Sequence, residues 1–113
     1  MANLEIQETE RPNGGRLLTL SGPLTLNTLF DFQGIVRQVH TDLLIDVSGV
    51  PYMDSAGLGA ILGAFASAQR NNRKFGLINV SDRIRTLLQI SHVDTVLPLF
   101  ASLEAAEGQT AIA

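Results

Sequence analysis

The sequence predicts an α/β fold with a mixed sheet of about five strands and about four helices, in the order β-β-α-β-α-β-α-β-α. Residues 12–15 read Pro-Asn-Gly-Gly between two short strand-like segments, which indicates an opening antiparallel hairpin. Residues 43–48 form an apolar run typical of a strand covered on both faces. From there strand and helix patterns alternate, so we expect parallel strands joined by right-handed crossovers.

The amino-terminal third predicts the hairpin and a first helix. Residues 4–7 alternate apolar and polar side chains, as a half-buried strand does, and residues 17–21 form the returning strand. Residues 26–39 have helical periodicity, with a cap from one of Thr25, Asn27 or Thr28. The buried stripe of this helix comprises Leu29, Phe32, Val36 and Val39.

A change of periodicity after residue 54 predicts a helix from Ser55 to about Asn71. Residues 49–51, Gly-Val-Pro, end the preceding strand, in which we expect Asp46 to be satisfied locally rather than catalytic. The apolar stripe of the helix comprises Leu58, Ile61, Leu62, Phe65 and Ala66.

The rest of the chain predicts two further strand–helix pairs. Residues 75–80 form a buried strand, and Ser81-Asp82 then begin a third helix. Residues 95–100 predict a strand that Pro98 restricts to a sheet edge or ends early. Ser102 caps a short last helix, and we expect a frayed tail from about residue 108 of a single domain spanning 1–113.

Composition narrows the function classes. The 113 residues carry a net charge of -3, which argues against nucleic acid as the main partner, and the absence of cysteine excludes disulfides. There is no membrane-length apolar run and no secretory signal, so we expect a cytoplasmic protein. The basic run Arg70, Arg73 and Lys74 is typical of a solvated helix end. No residue pattern indicates a metal, a cofactor or a catalytic group.

Ser55 is the candidate functional residue because it lies at the predicted start of a helix. Its hydroxyl can simply cap the helix, or it can accept a phosphate that the helix amino terminus would favour electrostatically. It does not match a hydrolase nucleophile, since residues 53–57 read Met-Asp-Ser-Ala-Gly rather than Gly-x-Ser-x-Gly. The two possible bases, His40 and His92, are predicted at the opposite side of the sheet.

The predicted second helix also carries a stripe of small side chains. Two interior glycines on one helix cost about 2 kcal/mol relative to alanine. This cost is explained either by close packing against another helix of the chain or by a flat face on which a partner docks. The stripe comprises Gly59, Ala60, Gly63, Ala64 and Ser67.

The segment Asp-Ser-Ala-Gly-Leu-Gly at 54–59, after an apolar strand and a short proline-containing loop, resembles the signature of STAS domains, in particular those of bacterial anti-sigma factor antagonists. The resemblance implies that Ser55 is phosphorylated by a partner that is both anti-sigma factor and serine kinase. It implies no enzymatic activity in this chain. The implied partner-binding residues are Thr25, Asp54, Ser55, Ala56, Gly57, Gly59, Ala60 and Gly63. Asp54 is either a recognition element or an anion favoured by the helix start.

Two positions depart from the family pattern. Thr25 stands where the family often has an aspartate near the phosphorylation site, so the surroundings of Ser55 lose one negative charge. His92-Val93 replaces a Gly-Leu pair, which suggests a different turn after the third helix.

The resemblance thus predicts a switch. The unphosphorylated chain binds the anti-sigma factor and releases a sigma factor, phosphate on Ser55 weakens that binding, and a serine phosphatase resets the protein. The alternative is a constitutive STAS subunit of a larger assembly, such as a bacterial lipid-transport ATPase complex. A small-ligand sensor is a third class, for which the sequence shows no convergent polar residues.

Overall fold

The computed structural model describes residues 3–108 and contains a five-stranded sheet with four helices among them. The strands are β1 (Glu5–Glu10), β2 (Arg16–Ser21), β3 (Leu43–Gly49), β4 (Phe75–Ile78) and β5 (Leu99–Phe100). The helices are α1 (Leu29–Gln38), α2 (Ser55–Arg70), α3 (Asp82–Ile90) and α4 (Leu103–Glu107). The element order β-β-α-β-α-β-α-β-α is the one predicted from the sequence.

The strands lie in the order β1-β2-β3-β4-β5 across the sheet. β1 and β2 pair antiparallel through a turn in which the Gly14 amide donates to the Arg11 carbonyl at 2.9 Å, and Gly14 takes a φ of 90°. All other neighbouring strands are parallel. The predicted hairpin and the parallel pairing of the later strands are therefore confirmed.

The main core lies on one face of the sheet. Pairing between parallel strands aligns Leu18, Ile45, Leu77 and Leu99 in one row, and all four are fully buried. Apolar side chains of α1, α2 and α3 cover this row, so the helical stripes predicted by periodicity meet on a single surface.

The opposite face is covered only in part, and this corrects one expectation. A second, smaller cluster joins Ile78, Phe100 and Ala106, because α4 packs over β4 and β5. β4 is buried on both faces, whereas β3 alternates between buried and half-buried residues. The prediction that residues 43–48 are covered on both faces is confirmed only in part, since Leu44 packs against this smaller cluster as a half-buried residue whereas Ser48 is exposed.

The start of α1 and the extent of β5 also differ from the predictions. The first helix begins at Leu29 rather than residue 26, because residues 25–28 form a turn whose Thr25 carbonyl accepts from the Thr28 and Leu29 amides. Thr28 occupies the cap position without a side-chain cap bond. β5 is a two-residue edge strand instead of residues 95–100, since residues 93–97 close a turn on the Val93 carbonyl. Residues of the predicted tail beyond Gly108 lie outside the described residues.

Candidate functional site

The candidate site lies where β3 leads into α2, and Asp54 organises it. One carboxylate oxygen of Asp54, Oδ1, accepts from the Gly57 amide at 2.8 Å and caps α2. The other oxygen, Oδ2, accepts from the Leu26 amide at 3.1 Å, in the loop that follows β2. A bridge between Leu24 and Met53 pairs the same two loops. Asp54 therefore joins the ends of two strands while it starts the helix.

Gly57 makes this junction possible. A Cβ on Gly57 would lie 2.1 Å from the Leu24 carbonyl oxygen, a distance that real Cβ atoms do not reach. The loop after β2 therefore packs directly on the first turn of α2, and only glycine leaves room for it.

Ser55 is the first residue of α2 and is exposed to solvent. Within residues 3–108 its hydroxyl makes no hydrogen bond, because the capping role predicted as one alternative belongs to Asp54. The hydroxyl is therefore free to react, at the helix end where backbone amides favour an anion.

The Asp54 carboxylate is held in its ionised form. The hydrogen bond from the Gly57 amide lowers the pKa of Asp54 below its ordinary value, and the bond from the Leu26 amide acts in the same direction, whereas desolvation opposes both. A phosphate on Ser55 would therefore lie beside a negative charge as well as at the positive end of α2.

Asp54 makes the stability of the fold pH-dependent. Because its folded pKa lies below the unfolded one, the carboxylate stabilises the fold above about pH 4, and this contribution is lost as the pH falls through the folded pKa.

Asp54→Asn keeps one acceptor but turns an amide NH₂ toward one of the two donors. We expect a cost of about 1 kcal/mol in the free energy of unfolding at pH 7. Urea unfolding at pH 7 and pH 3 measures it. A difference between variant and wild type that is the same at both pH values would contradict this role.

The structure brings the predicted partner-binding residues to one side of the molecule but separates their roles. Asp54, Gly57 and Ala60 are half-buried or buried and shape the site, whereas Ser55 is exposed. Thr25, half-buried, lies next to the Leu26 amide that Asp54 accepts from. The position of Thr25 thus fits the expected proximity to Ser55.

The stripe of small residues on α2 also divides in two. Ala60 and Ala64 are buried in the core, so these two small residues are explained by close packing within the chain. Gly59 and Gly63 are exposed, and a Cβ on either would meet no atom within 4 Å. They line a groove between α1 and α2 together with Phe32 and Val36. Packing within the described chain therefore does not require glycine at these two positions.

Two exposed apolar side chains at the site were not predicted from the sequence. Leu26 is 59% exposed and Tyr52 is 45% exposed, on the two loops that Asp54 and the Leu24–Met53 bridge hold together. Phe30, 67% exposed, lies in the first turn of α1 on the side that faces Leu4 and Ile6, away from the groove between α1 and α2. The sequence does indicate the exposure of Phe30, because this residue falls outside the predicted buried stripe of the first helix.

Asp46 and the two histidines lie where the sequence predicted them. Asp46 accepts from the Ser48 amide at 2.9 Å and from the Asn79 side-chain amide at 3.2 Å, so it is satisfied locally as predicted. His40 and His92 follow α1 and α3, at the sheet end opposite Ser55. His92 takes a left-handed φ of 60°, a conformation that glycine favours. The backbone of this turn is therefore one that a glycine at position 92 could also adopt, and the expected difference in turn geometry is not seen at this residue.

None of the helices within residues 3–108 has the length and apolar character needed to cross a bilayer.

Comparison with known proteins gives consistent results. The sequence profile of the STAS domain family matches residues 3–106. An anti-sigma-B factor antagonist of Staphylococcus aureus is 30% identical over 93 residues, which cover 79% of this chain and 85% of that protein. The name of this relative describes an antagonist rather than an enzyme.

Solved structures share the fold. An anti-sigma factor antagonist from Mycobacterium paratuberculosis superposes with a TM-score of 0.83 at 19% identity, covering 93% of this chain and 92% of the other. The unphosphorylated anti-sigma factor antagonist SpoIIAA superposes with a TM-score of 0.70 at 17% identity, covering 91% and 94%. With the five-stranded mixed sheet and the family match over residues 3–106, the chain belongs to the STAS domain family.

Proposed function

We propose that this protein is an anti-sigma factor antagonist, a binding protein that a phosphate on Ser55 switches off. In its unphosphorylated form it binds an anti-sigma factor with serine-kinase activity and so releases a sigma factor for transcription. The observation that carries the proposal is the free hydroxyl of Ser55, exposed at the start of α2 between two loops with exposed apolar side chains.

The surface around Ser55 suits a protein partner. Leu26 and Tyr52 supply the kind of large apolar and aromatic contacts that carry binding energy in interfaces. Gly59 and Gly63, open to solvent on the same helix as Ser55, let a partner backbone approach α2 closely. We assign the docking surface to Ser55, the groove between α1 and α2, and the two loops that Asp54 joins.

The switch follows from the charge of a phosphate. A phosphoserine adds about -1.5 to -2 charge near neutral pH. The helix start stabilises that charge in the free protein, so the fold tolerates it. In the complex the charge must lose its water, beside the ionised Asp54, with no cationic side chain supplied by the loops at 24–26 and 52–54. Binding is therefore weakened while the backbone stays in place.

Thr25 changes the balance of charges around Ser55. An aspartate at this position would place a further carboxylate beside the Asp54 junction, whereas Thr25 is neutral. The free protein therefore repels an incoming phosphoryl group less. ATP belongs to the kinase, and a separate serine phosphatase restores the active form in the cytoplasm.

Mass spectrometry of the chain isolated from its native cell tests the proposal. We expect a fraction with an added phosphoryl group of about 80 Da that maps to Ser55. The Ser55→Ala chain, expressed in the same cell, is expected to lack that fraction. An unmodified Ser55 together with fixed-stoichiometry co-purification with an ATPase would instead support the constitutive-subunit alternative.

A further inference from the structure

A cavity of about 300 Å³ lies at the opposite end of the sheet from Ser55. It opens where β2, β3 and β4 begin, between the hairpin turn and the end of α4. Arg73 also lines the groove between α1 and α2, whereas the other fourteen lining residues lie outside the proposed docking surface around Ser55. The cavity therefore needs its own explanation.

The inner wall of the cavity is apolar. Phe65 and Phe75 pack with ring centroids 5.5 Å apart at an interplanar angle of 57°. Phe100 lies across Gly76, which leaves room for its ring because it has no Cβ. The apolar lining residues are Leu43, Leu44, Phe65, Phe75, Pro98 and Phe100.

The rim of the cavity is cationic, although the whole chain carries a net charge of -3. Four basic side chains line it with two acidic ones, so the local balance is +2. The charged lining residues are Arg11, Arg16, Arg73, Lys74, Asp42 and Glu107.

Two of the four cations are already engaged, and two are not. Arg11 forms an ion pair with Glu107, and Arg73 donates to the Val39 carbonyl at 3.2 Å. Asp42 accepts from the Lys74 backbone amide at 2.9 Å, so its carboxylate holds the start of the strands together. Within residues 3–108 the charged ends of Arg16 and Lys74 make no hydrogen bond or ion pair, which leaves both available to a ligand.

We propose that this cavity binds a small amphipathic anion, with a hydrocarbon or aromatic body against the phenylalanines and one carboxylate or phosphate group toward Arg16 and Lys74. Its volume is at the low end of the range for ligand pockets, which run from about 300 to 1,000 Å³, so the ligand is small. Burial of the apolar body supplies the affinity, and the uncompensated cations select the charge. The sequence indicated Arg73 and Lys74 only as part of a solvated helix end, because it is the fold that brings them together with Arg11 and Arg16 of the hairpin.

Calorimetric titration of the full chain tests the chemistry of the ligand with four probes that share a ten-carbon tail. We expect sodium decanoate or decyl phosphate to bind saturably, one per chain, at least tenfold more tightly than 1-decanol, while decyltrimethylammonium does not bind. The tighter of the two anions identifies the headgroup. Equal affinity for decanoate, decyl phosphate and decanol, or no saturable binding of either anion, would overturn the proposal.

Matched variants test the place of binding. The double variant Arg16→Gln, Lys74→Gln is expected to weaken binding of the tighter anion at least tenfold without changing the affinity for decanol. Arg70→Gln, Arg85→Gln removes the same charge from residues outside both the cavity and the docking surface and is expected to bind like wild type. Equal loss in both variants would refute the site.

A measurement on the unmodified chain keeps the proposal testable if a variant does not fold. Backbone amide resonances in a decanoate titration are expected to shift at Leu44, Phe75 and Phe100 and to stay in place at Ser55. Shifts confined to the neighbourhood of Ser55, or spread over the whole chain, would exclude the cavity as the binding site.

Discussion

Ser55→Asp is expected to weaken binding to the anti-sigma factor about hundredfold, which corresponds to about 2.7 kcal/mol. The added carboxylate lies at the start of α2, next to the ionised Asp54, and must be desolvated when the partner docks. Ser55→Ala loses only the hydroxyl, which makes no hydrogen bond within the described residues, and is expected to bind like wild type. Titration of the anti-sigma factor that the wild-type chain captures from its native cell measures both affinities.

The control separates charge at the site from charge in general. Gln69→Glu adds the same charge to an exposed position near the other end of α2, 14 residues and about 21 Å from Ser55, and is expected to leave the affinity unchanged. An aspartate at a helix start stabilises it by about 0.3–1 kcal/mol, so the thermal midpoint of Ser55→Asp should not fall. Equal affinity of Ser55→Asp and Ser55→Ala would refute the switch.

Gly57→Ala is expected to destabilise the fold by about 3 kcal/mol. Its Cβ would lie 2.1 Å from the Leu24 carbonyl oxygen and 2.8 Å from the Leu24 carbonyl carbon, and backbone atoms cannot rotate away as a flexible side chain can. The loop after β2 must then move from α2, which also strains the bond between the Leu26 amide and Asp54. Urea unfolding at neutral pH measures the loss.

Three other glycines on helices provide the matched controls. A Cβ on Gly34, Gly59 or Gly63 would meet no atom within 4 Å, so alanine at each is expected to stabilise its helix by up to about 1 kcal/mol. Loss of stability in Gly63→Ala similar to that in Gly57→Ala would show that steric contact with Leu24 is not the cause. The docking proposal adds that Gly59→Ala and Gly63→Ala weaken partner binding, whereas Gly34→Ala on α1 does not.

Local sequence signals determined the order of elements and the caps of α3 and α4. Ser81 accepts from the Ile84 amide at 3.2 Å and Ser102 from the Ala105 amide at 3.1 Å, as their position before an apolar stripe predicted. Asn71 and Asn72 end α2, where Asn72 takes a φ of 56°. Such features could be predicted because each depends on residues within one or two turns of the chain.

The sequence also identified Ser55, through the change of periodicity and the resemblance of residues 54–59 to a known signature. It did not decide whether Ser55 caps the helix. That choice depends on Asp54, whose second oxygen is satisfied by an amide 28 positions away in sequence. The same dependence placed the start of α1 three residues later than the predicted residue 26, since residues 24–26 pair with the β3–α2 loop instead of joining the helix.

The sequence by itself thus determined the α/β order, the family signature and the position of the candidate serine. Only the tertiary structure decided that Asp54 rather than Ser55 caps α2, and that Gly57 is held against Leu24 while Gly59 and Gly63 are open. It also decided that basic residues from two distant segments rim one cavity. The physical reason is that caps and helical stripes arise from neighbours along the chain. Close approaches and shared cavities arise only where parallel strands bring remote loops together.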